Sequence, residues 1–270
     1  MHLNTKPRTV AQSDTTTKAS IIGFCDMDIV KLGWSGGKDS TCAFSLHLER
    51  GDKVKATCYI PMFTKDIPCI TKRHYEFIKK TAEYFENQGG KVFWAEGMTY
   101  WDYVTHRALS GKFKGKILGF PCTNISQCGF KRDSKEKACR SVDVGEYDYE
   151  AIGICADEYA RHSQLGDKKR SILVEQGFSK IDTMRFCYNR ELLSPHYQYT
   201  SRDGCVLCPN AKEIERQIWY DDYPQARDLL IELQDICKKE RPDRFPLRDY
   251  RYFIDTDNIQ LSLFDEGVIL

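Results

Sequence analysis

The run Ser35-Gly36-Gly37-Lys38-Asp39-Ser40 places two adjacent glycines, two hydroxyls, an ammonium and a carboxylate side by side. Glycine has no Cβ, so backbone N–H groups can approach anionic oxygens closely, and the Ser35 and Ser40 hydroxyls with Lys38 add donors; the run suits a phosphate. It is not a Walker A loop, because Asp39 rather than Ser or Thr follows Gly37-Lys38, and it lacks the spacing of a dinucleotide fingerprint. Asp39 can orient Mg2+ or brace the loop, and a plain tight turn is the alternative without function. Further along, Gly153-Ile154-Cys155-Ala156-Asp157-Glu158-Tyr159-Ala160-Arg161 brings together two adjacent carboxylates and a guanidinium. Asp157 and Glu158 can hold Mg2+ beside a polyphosphate, while Arg161 can pair with phosphate or carboxylate. The plainer reading is a solvated helix start, where acidic residues are favourable.

Twelve cysteines in 270 residues exceed ordinary usage but fall short of a disulfide scaffold, and a chain this long does not need such staples. Cys205-Val206-Leu207-Cys208 is a C-x-x-C in a turn-rich stretch, a spacing that lets two thiolates reach one metal or form a redox pair. Two more thiolates are needed for a four-sulfur site. Cys122 and Cys128 are the candidates, with Cys139 close behind, and four thiolates hold Zn2+ or a [4Fe-4S] cluster. Cys25, Cys42, Cys58, Cys155, Cys187 and Cys237 read most simply as small core residues. His196 stands alone and is expected to be a hydrogen-bonded surface or core residue.

These groups need a frame. Asp28 to Trp34 is apolar and β-prone, the glycine run follows at once, and the segment from Thr41 predicts a helix closed by Gly51. Strand, tight loop and helix in that order set the phosphate loop at the carboxyl edge of a sheet. Val54 to Pro61 predicts a second strand, residues 73–90 an amphipathic helix, residues 91–97 a third strand and Tyr149 to Ala156 a further one. Alternating strands and helices predict an α/β fold with a parallel, doubly wound sheet. After Ser201 the texture becomes turn-rich, then two helices separated near Pro224 are expected. The organisation expected is a flexible tail over 1–20, a nucleotide-binding α/β domain over 21–200 and a small helical, cysteine-containing portion over 201–270.

Composition narrows the classes. Hydrophobic residues at 41%, charged residues at 29% and a mean hydropathy of −0.53 exclude a collagenous, mucin-like or wholly disordered chain. Lys plus Arg total 40 against 39 acids, so no overall basic field points to nucleic acid or an anionic membrane. Between Arg107 and Arg140, however, nine basic residues face two acids, enough for a phosphate-binding patch or an ordinary solvated face. No apolar run is long enough to span a bilayer and Met1 to Ser20 is polar, which leads us to expect a cytoplasmic protein without membrane contact.

With SGGKDS between a strand and a helix and GICADEYAR after a later strand, the chain resembles the PP-loop superfamily of N-type ATP pyrophosphatases, adenine nucleotide alpha hydrolase-like proteins, and within it the phosphoadenosine phosphosulfate reductase-like proteins. The resemblance implies that Ser35 to Ser40, with Gly153, Asp157, Glu158 and Arg161, bind the phosphates of ATP with Mg2+. Catalysis would then fall to Lys38 and Asp39. Cys128 followed by Lys131 and Arg132 is similar to the upstream cysteine element of iron–sulfur sulfonucleotide reductases, which implies a metal site of Cys122, Cys128, Cys205 and Cys208. Cys155 stands where those enzymes carry Arg, Tyr159 where they carry Ser, and DTDNIQLSLFDEGVIL holds no cysteine to attack sulfur. The function implied is adenylation of a substrate oxygen with release of pyrophosphate, serving sulfur transfer or nucleic-acid modification. The alternatives are a sulfonucleotide reductase or sulfotransferase, and a nucleotide-binding component of a nucleic-acid modification or defence system docking through Arg107 to Arg140. An oligomer is compatible with all three.

Overall fold

β1 (Ile29–Trp34) supplies the centre of the sheet because Val30, Leu32 and Trp34 alternate into the core. The computed structural model that reveals this describes residues 27–121, 128–208 and 210–244; the expected tail, Cys122 and the C-terminal stretch fall outside the described residues. Trp34 meets Phe44 and Phe85 edge-on with centroids 6.0 and 5.9 Å away, and those two rings stack on each other at 4.0 Å. Phe44 lies on α1 (Lys38–Arg50) and Phe85 on α2 (Lys72–Asn87), so one aromatic trio fixes both helices against the strand. Gly51 ends α1 at φ +94°, as its sequence position predicts.

β2 (Lys53–Cys58) and β3 (Lys91–Trp94) extend the sheet on one side of β1, while β4 (Tyr149–Ala151) and β5 (Lys169–Arg170) extend it on the other. The order is β3-β2-β1-β4-β5 and every pairing is parallel. The chain therefore leaves β1 in one direction and later returns to build in the other. The loops after β1 and β4 emerge side by side, and such a reversal point is where open α/β sheets bind ligands.

β4 is shorter than the strand expected over Tyr149 to Ala156. It pairs with β1 only through Ala151, after which Gly153 turns against the glycine loop: a Cβ there would lie 2.8 Å from the Ser40 nitrogen. Between β3 and β4 lie α3 (Tyr100–Thr105), a π-helical turn (Lys131–Glu136) and α4 (Lys137–Ser141). α5 (Tyr159–His162), α6 (Ile172–Glu175) and α7 (Lys180–Asn189) follow β4, and α7 packs on α1.

α8 (Glu213–Asp222) and α9 (Gln225–Glu240) match the two helices expected around Pro224. Their Trp219, Leu230 and Leu233 share an apolar cluster with Phe63, Tyr100 and Phe130. Trp219 is fully buried and its Nε1 donates to the Pro68 carbonyl at 2.7 Å, which ties α8 to the segment between β2 and α2. Among the described residues no helix is long and apolar enough to cross a membrane.

Candidate functional site

Gly36 lies at φ +75°, a left-handed conformation that side chains strain to adopt, and a Cβ there would press into Ile78. Gly37 precedes α1 in extended conformation with no side chain capping the helix. Gly37 itself brings no capping acceptor to the amino end of this thirteen-residue helix, an arrangement that favours an anion there. Ser40 Oγ accepts from the Ser35 N–H at 3.3 Å and donates to the Gly37 carbonyl at 3.1 Å, holding the turn closed. The Lys38 N–H donates to the Tyr197 hydroxyl at 3.1 Å. Ser35 Oγ donates to Asp203 at 3.0 Å, and a Cβ on Gly37 would strike that same carboxylate. Asp203 therefore rests directly on the loop.

Asp39 points the other way. Its carboxylate accepts from Thr183 Oγ1 at 2.6 Å, from Cys155 Sγ at 3.2 Å and from the Lys38 ammonium. Lys38 is buried and also donates to Thr183 at 3.1 Å, so its charge is committed to Asp39 within the loop. Glu158 joins this group, since ligand atoms of Asp39, Cys155 and Glu158 all lie within 4.8 Å of one another. Asp157 does not: it accepts from the Lys180 backbone N–H at 3.3 Å. Burial works to raise the Glu158 carboxyl, but hydrogen bonds from Arg161, the Cys155 N–H and Lys180 outweigh it and hold it below the usual range. Burial, then the charge of Asp39, pushes the Cys155 thiol up to about 12, so it stays protonated and donates. Two carboxylates beside the glycine loop fit Mg2+, which takes one or two carboxylates and completes its shell with other oxygen ligands. A neutral thiol is a poor ligand for that hard ion, and Cys155 serves instead as a hydrogen-bond donor to Asp39.

One cavity of roughly 470 Å³ is lined both by Ser35 and Asp203 and by Cys128, Cys205 and Cys208. The glycine loop and the C-x-x-C thus open onto the same space. Lys131, Lys135, Arg161 and Arg202 also line it, against one carboxylate, Asp203, among the described residues. Arg202 is held by the fully buried Glu215 at 3.0 Å. Burial pushes the Cys128 and Cys208 thiols up. Next to the C-x-x-C sits Cys69, fully buried, whose carbonyl accepts from the Val206 N–H at 2.8 Å. Sequence reasoning gave Cys69 no role. Its flanks, Pro68 and Ile70, carry no spacing motif, and only tertiary contact brings it to the C-x-x-C. Cys139 lies elsewhere, packed with Tyr59, Ala95 and Ala138. Cys42, Cys58, Cys187 and Cys237 are buried in the apolar clusters, as expected of small core residues.

His196 is fully buried, as the core alternative holds, and stacks on His74 with centroids 5.0 Å apart. His74 Nδ1 lies 2.8 Å from Ser194 Oγ. Burial first, then the neighbouring His196, lowers the His74 pKa from 6.5 to about 4. Between those values the unfolded chain takes up a proton that the folded chain refuses. Stability is therefore unaffected above pH 6.5 and falls as the pH drops toward 4, by about 3 kcal/mol in full. Urea unfolding across this window should show the slope, and His74→Gln should flatten it; an unchanged slope in the variant assigns the proton to another group.

Four of the nine basic residues between Arg107 and Arg140 form ion pairs. Arg107 meets Glu240 at 2.8 Å, Arg132 meets Asp133 at 2.7 Å, and Lys131 and Arg140 both reach Glu136. Lys131 and Lys135 nevertheless line the cavity. Comparison with protein-family models and with curated proteins finds no match to this chain.

Proposed function

We propose that the chain is a PP-loop enzyme, its sheet doubly wound, that binds ATP at Ser35 to Ser40 and adenylates a substrate oxygen with release of pyrophosphate. The observation that carries this reading is the position of the glycine loop. It stands at the reversal point of the sheet, at the amino end of α1, with the Asp39–Glu158 pair on one side and a cationic cavity on the other. In the reaction, a substrate oxygen attacks the α-phosphorus, the bond from that phosphorus to the bridging oxygen breaks, and pyrophosphate leaves with the electron pair. The loop N–H groups and the Ser35 and Ser40 hydroxyls hold the departing phosphates, where charge accumulates. Asp39 and Glu158 would hold Mg2+, which neutralises charge on the phosphates. Thr183 and the protonated Cys155 thiol fix the Asp39 carboxylate in place. Lys38, locked between Asp39 and Thr183, keeps the loop compact rather than reaching out to the ligand.

A sulfonucleotide reductase or sulfotransferase is the second reading, favoured by one observation: the cysteines lining the cavity share it with Ser35. Nucleic acid as the acceptor would use Lys131 and Lys135 at the same opening. In each case a thiophilic metal, a [4Fe-4S] cluster or Zn2+, belongs to Cys128, Cys205 and Cys208. Calorimetric titration of anaerobically purified protein with Mg2+–ATP, adenylyl sulfate and phosphoadenylyl sulfate separates the readings. Tighter binding of ATP supports adenylation, and tighter binding of a sulfonucleotide overturns it in favour of the second reading.

A further inference from the structure

We infer that Cys69 is the fourth sulfur ligand of a metal centre completed by Cys128, Cys205 and Cys208, in the position that the sequence pattern assigned to Cys122. The inference rests on the reading of those three cysteines as metal ligands and goes beyond it in the identity of the fourth. Cys69, Cys128 and Cys205 pack in one buried cluster, and Cys205 lines the same cavity as Cys128 and Cys208. The backbone builds the pairing in. The Cys69 N–H donates to the Pro61 carbonyl at 2.7 Å, and the Cys69 carbonyl accepts from the Val206 N–H at 2.8 Å. The second bond ties the Cys69 segment directly to the C-x-x-C turn, whose Cys208 N–H in turn donates to the Cys205 carbonyl at 3.1 Å. On the other flank of Cys69, the Pro68 carbonyl is held by the buried Trp219 indole. A cysteine fixed on both sides is oriented before any ligand arrives, which lowers the cost of assembling a site.

The spacing bears on the metal. Tetrahedral zinc at about 2.3 Å from each sulfur needs its four sulfurs about 3.8 Å apart. Among the described residues no three cysteine sulfurs lie within 4.8 Å of one another, so a single ion requires these side chains to close in, whereas a cubane cluster is held by sulfurs set further apart. The cationic lining, Lys131, Lys135 and Arg202, complements the net negative charge that four thiolates give such a cluster.

The test is metal content of the full chain, purified anaerobically and reconstituted with iron and sulfide or with Zn2+ alone, alongside X-ray absorption at the metal edge. The expected result is about four irons and four sulfides, or one zinc, per chain with sulfur-only ligation from protein. Cys69→Ser should lower that content at least about fivefold, while Cys122→Ser and Cys139→Ser keep it. A metal-free wild-type protein, or one holding a Cys69–Cys205 disulfide instead, overturns the inference. So does loss of metal in Cys122→Ser with retention in Cys69→Ser. Where Cys69→Ser does not fold, Cys122→Ser decides: retained metal with four-sulfur ligation leaves Cys69 as the ligand, and lost metal assigns the place to Cys122. Titration with Mg2+–ATP, run in parallel, reports on the nucleotide reading separately, because ATP binding with no metal bound fails only the cysteine assignment.

Discussion

Gly153→Ala is expected to weaken Mg2+–ATP binding by about 100-fold while the chain still folds. An alanine Cβ would stand 2.8 Å from the Ser40 nitrogen, 2.9 Å from the Asp39 carbonyl carbon and 3.0 Å from the Ser40 Cα. All three are backbone atoms, so no rotamer change can relieve the contact. Either the turn after β4 or the glycine loop must shift, at a cost of order 1–3 kcal/mol for the overpacking. A displacement of about 1 Å in the groups that position phosphates is enough for a 100-fold loss. Gly166→Ala, where a Cβ meets nothing within 4 Å, is the silent control. Calorimetry with circular dichroism reads both variants, and binding within twofold of wild type in Gly153→Ala would show that the close approach does not shape the nucleotide site.

Asp39→Asn should have the second large effect, and on two properties. Thr183, Cys155 and Lys38 all donate to one oxygen, Oδ1, which the amide can still present; what the substitution removes is the negative charge. Lys38 is left buried without its counter-charge. Removing one member of a buried pair costs several kcal/mol; Asp39 is partly open to solvent, so a loss of about 2 kcal/mol in thermal or urea unfolding is expected. The functional signature differs from the structural one. If Asp39 holds Mg2+ with Glu158, ATP affinity in the presence of Mg2+ falls by about 50- to 100-fold, while affinity without Mg2+ changes less than about threefold. Equal loss under both conditions would make Asp39 a brace for the loop and nothing more. Glu158→Gln should reproduce the Mg2+-dependent part without the loss of stability, since its partners Arg161 and Lys180 are exposed.

What the sequence displays is local. The glycine loop, the strand before it and the helix after it are contiguous, and their chemistry lies in neighbouring residue types; the parallel sheet follows from the alternation of strands and helices. The rest of the site arrives from far along the chain and leaves little local trace. Thr183 reaches Asp39 across 144 positions and Asp203 reaches Ser35 across 168. α7, which carries Thr183, buries Thr183, Phe186 and Cys187, too thin an apolar stripe to mark a helix by periodicity. β5 is two exposed basic residues at the sheet edge and has no hydrophobic signal at all. Cys69 shows the same limit from the other side: its ordinary flanks conceal it, and it is the backbone bond from Val206 that brings it to the C-x-x-C. Asp157 and Glu158 are adjacent in sequence, yet the one-turn helix α5 sends Glu158 to Asp39 and Asp157 to the start of α7.

Asp203 is a negative charge already seated against the loop that favours anions, hydrogen-bonded to Ser35 and only two residues from Cys205. On the proposed reading, an arriving polyphosphate would compete with this internal anion and would have to displace it or share a cation with it. Either outcome tugs on the turn that carries the thiols, and stiffening that turn changes how readily the carboxylate yields. Two occupants joined through one short segment are thermodynamically linked, and linkage is reciprocal: whatever factor one imposes on the affinity of the other is returned in equal measure.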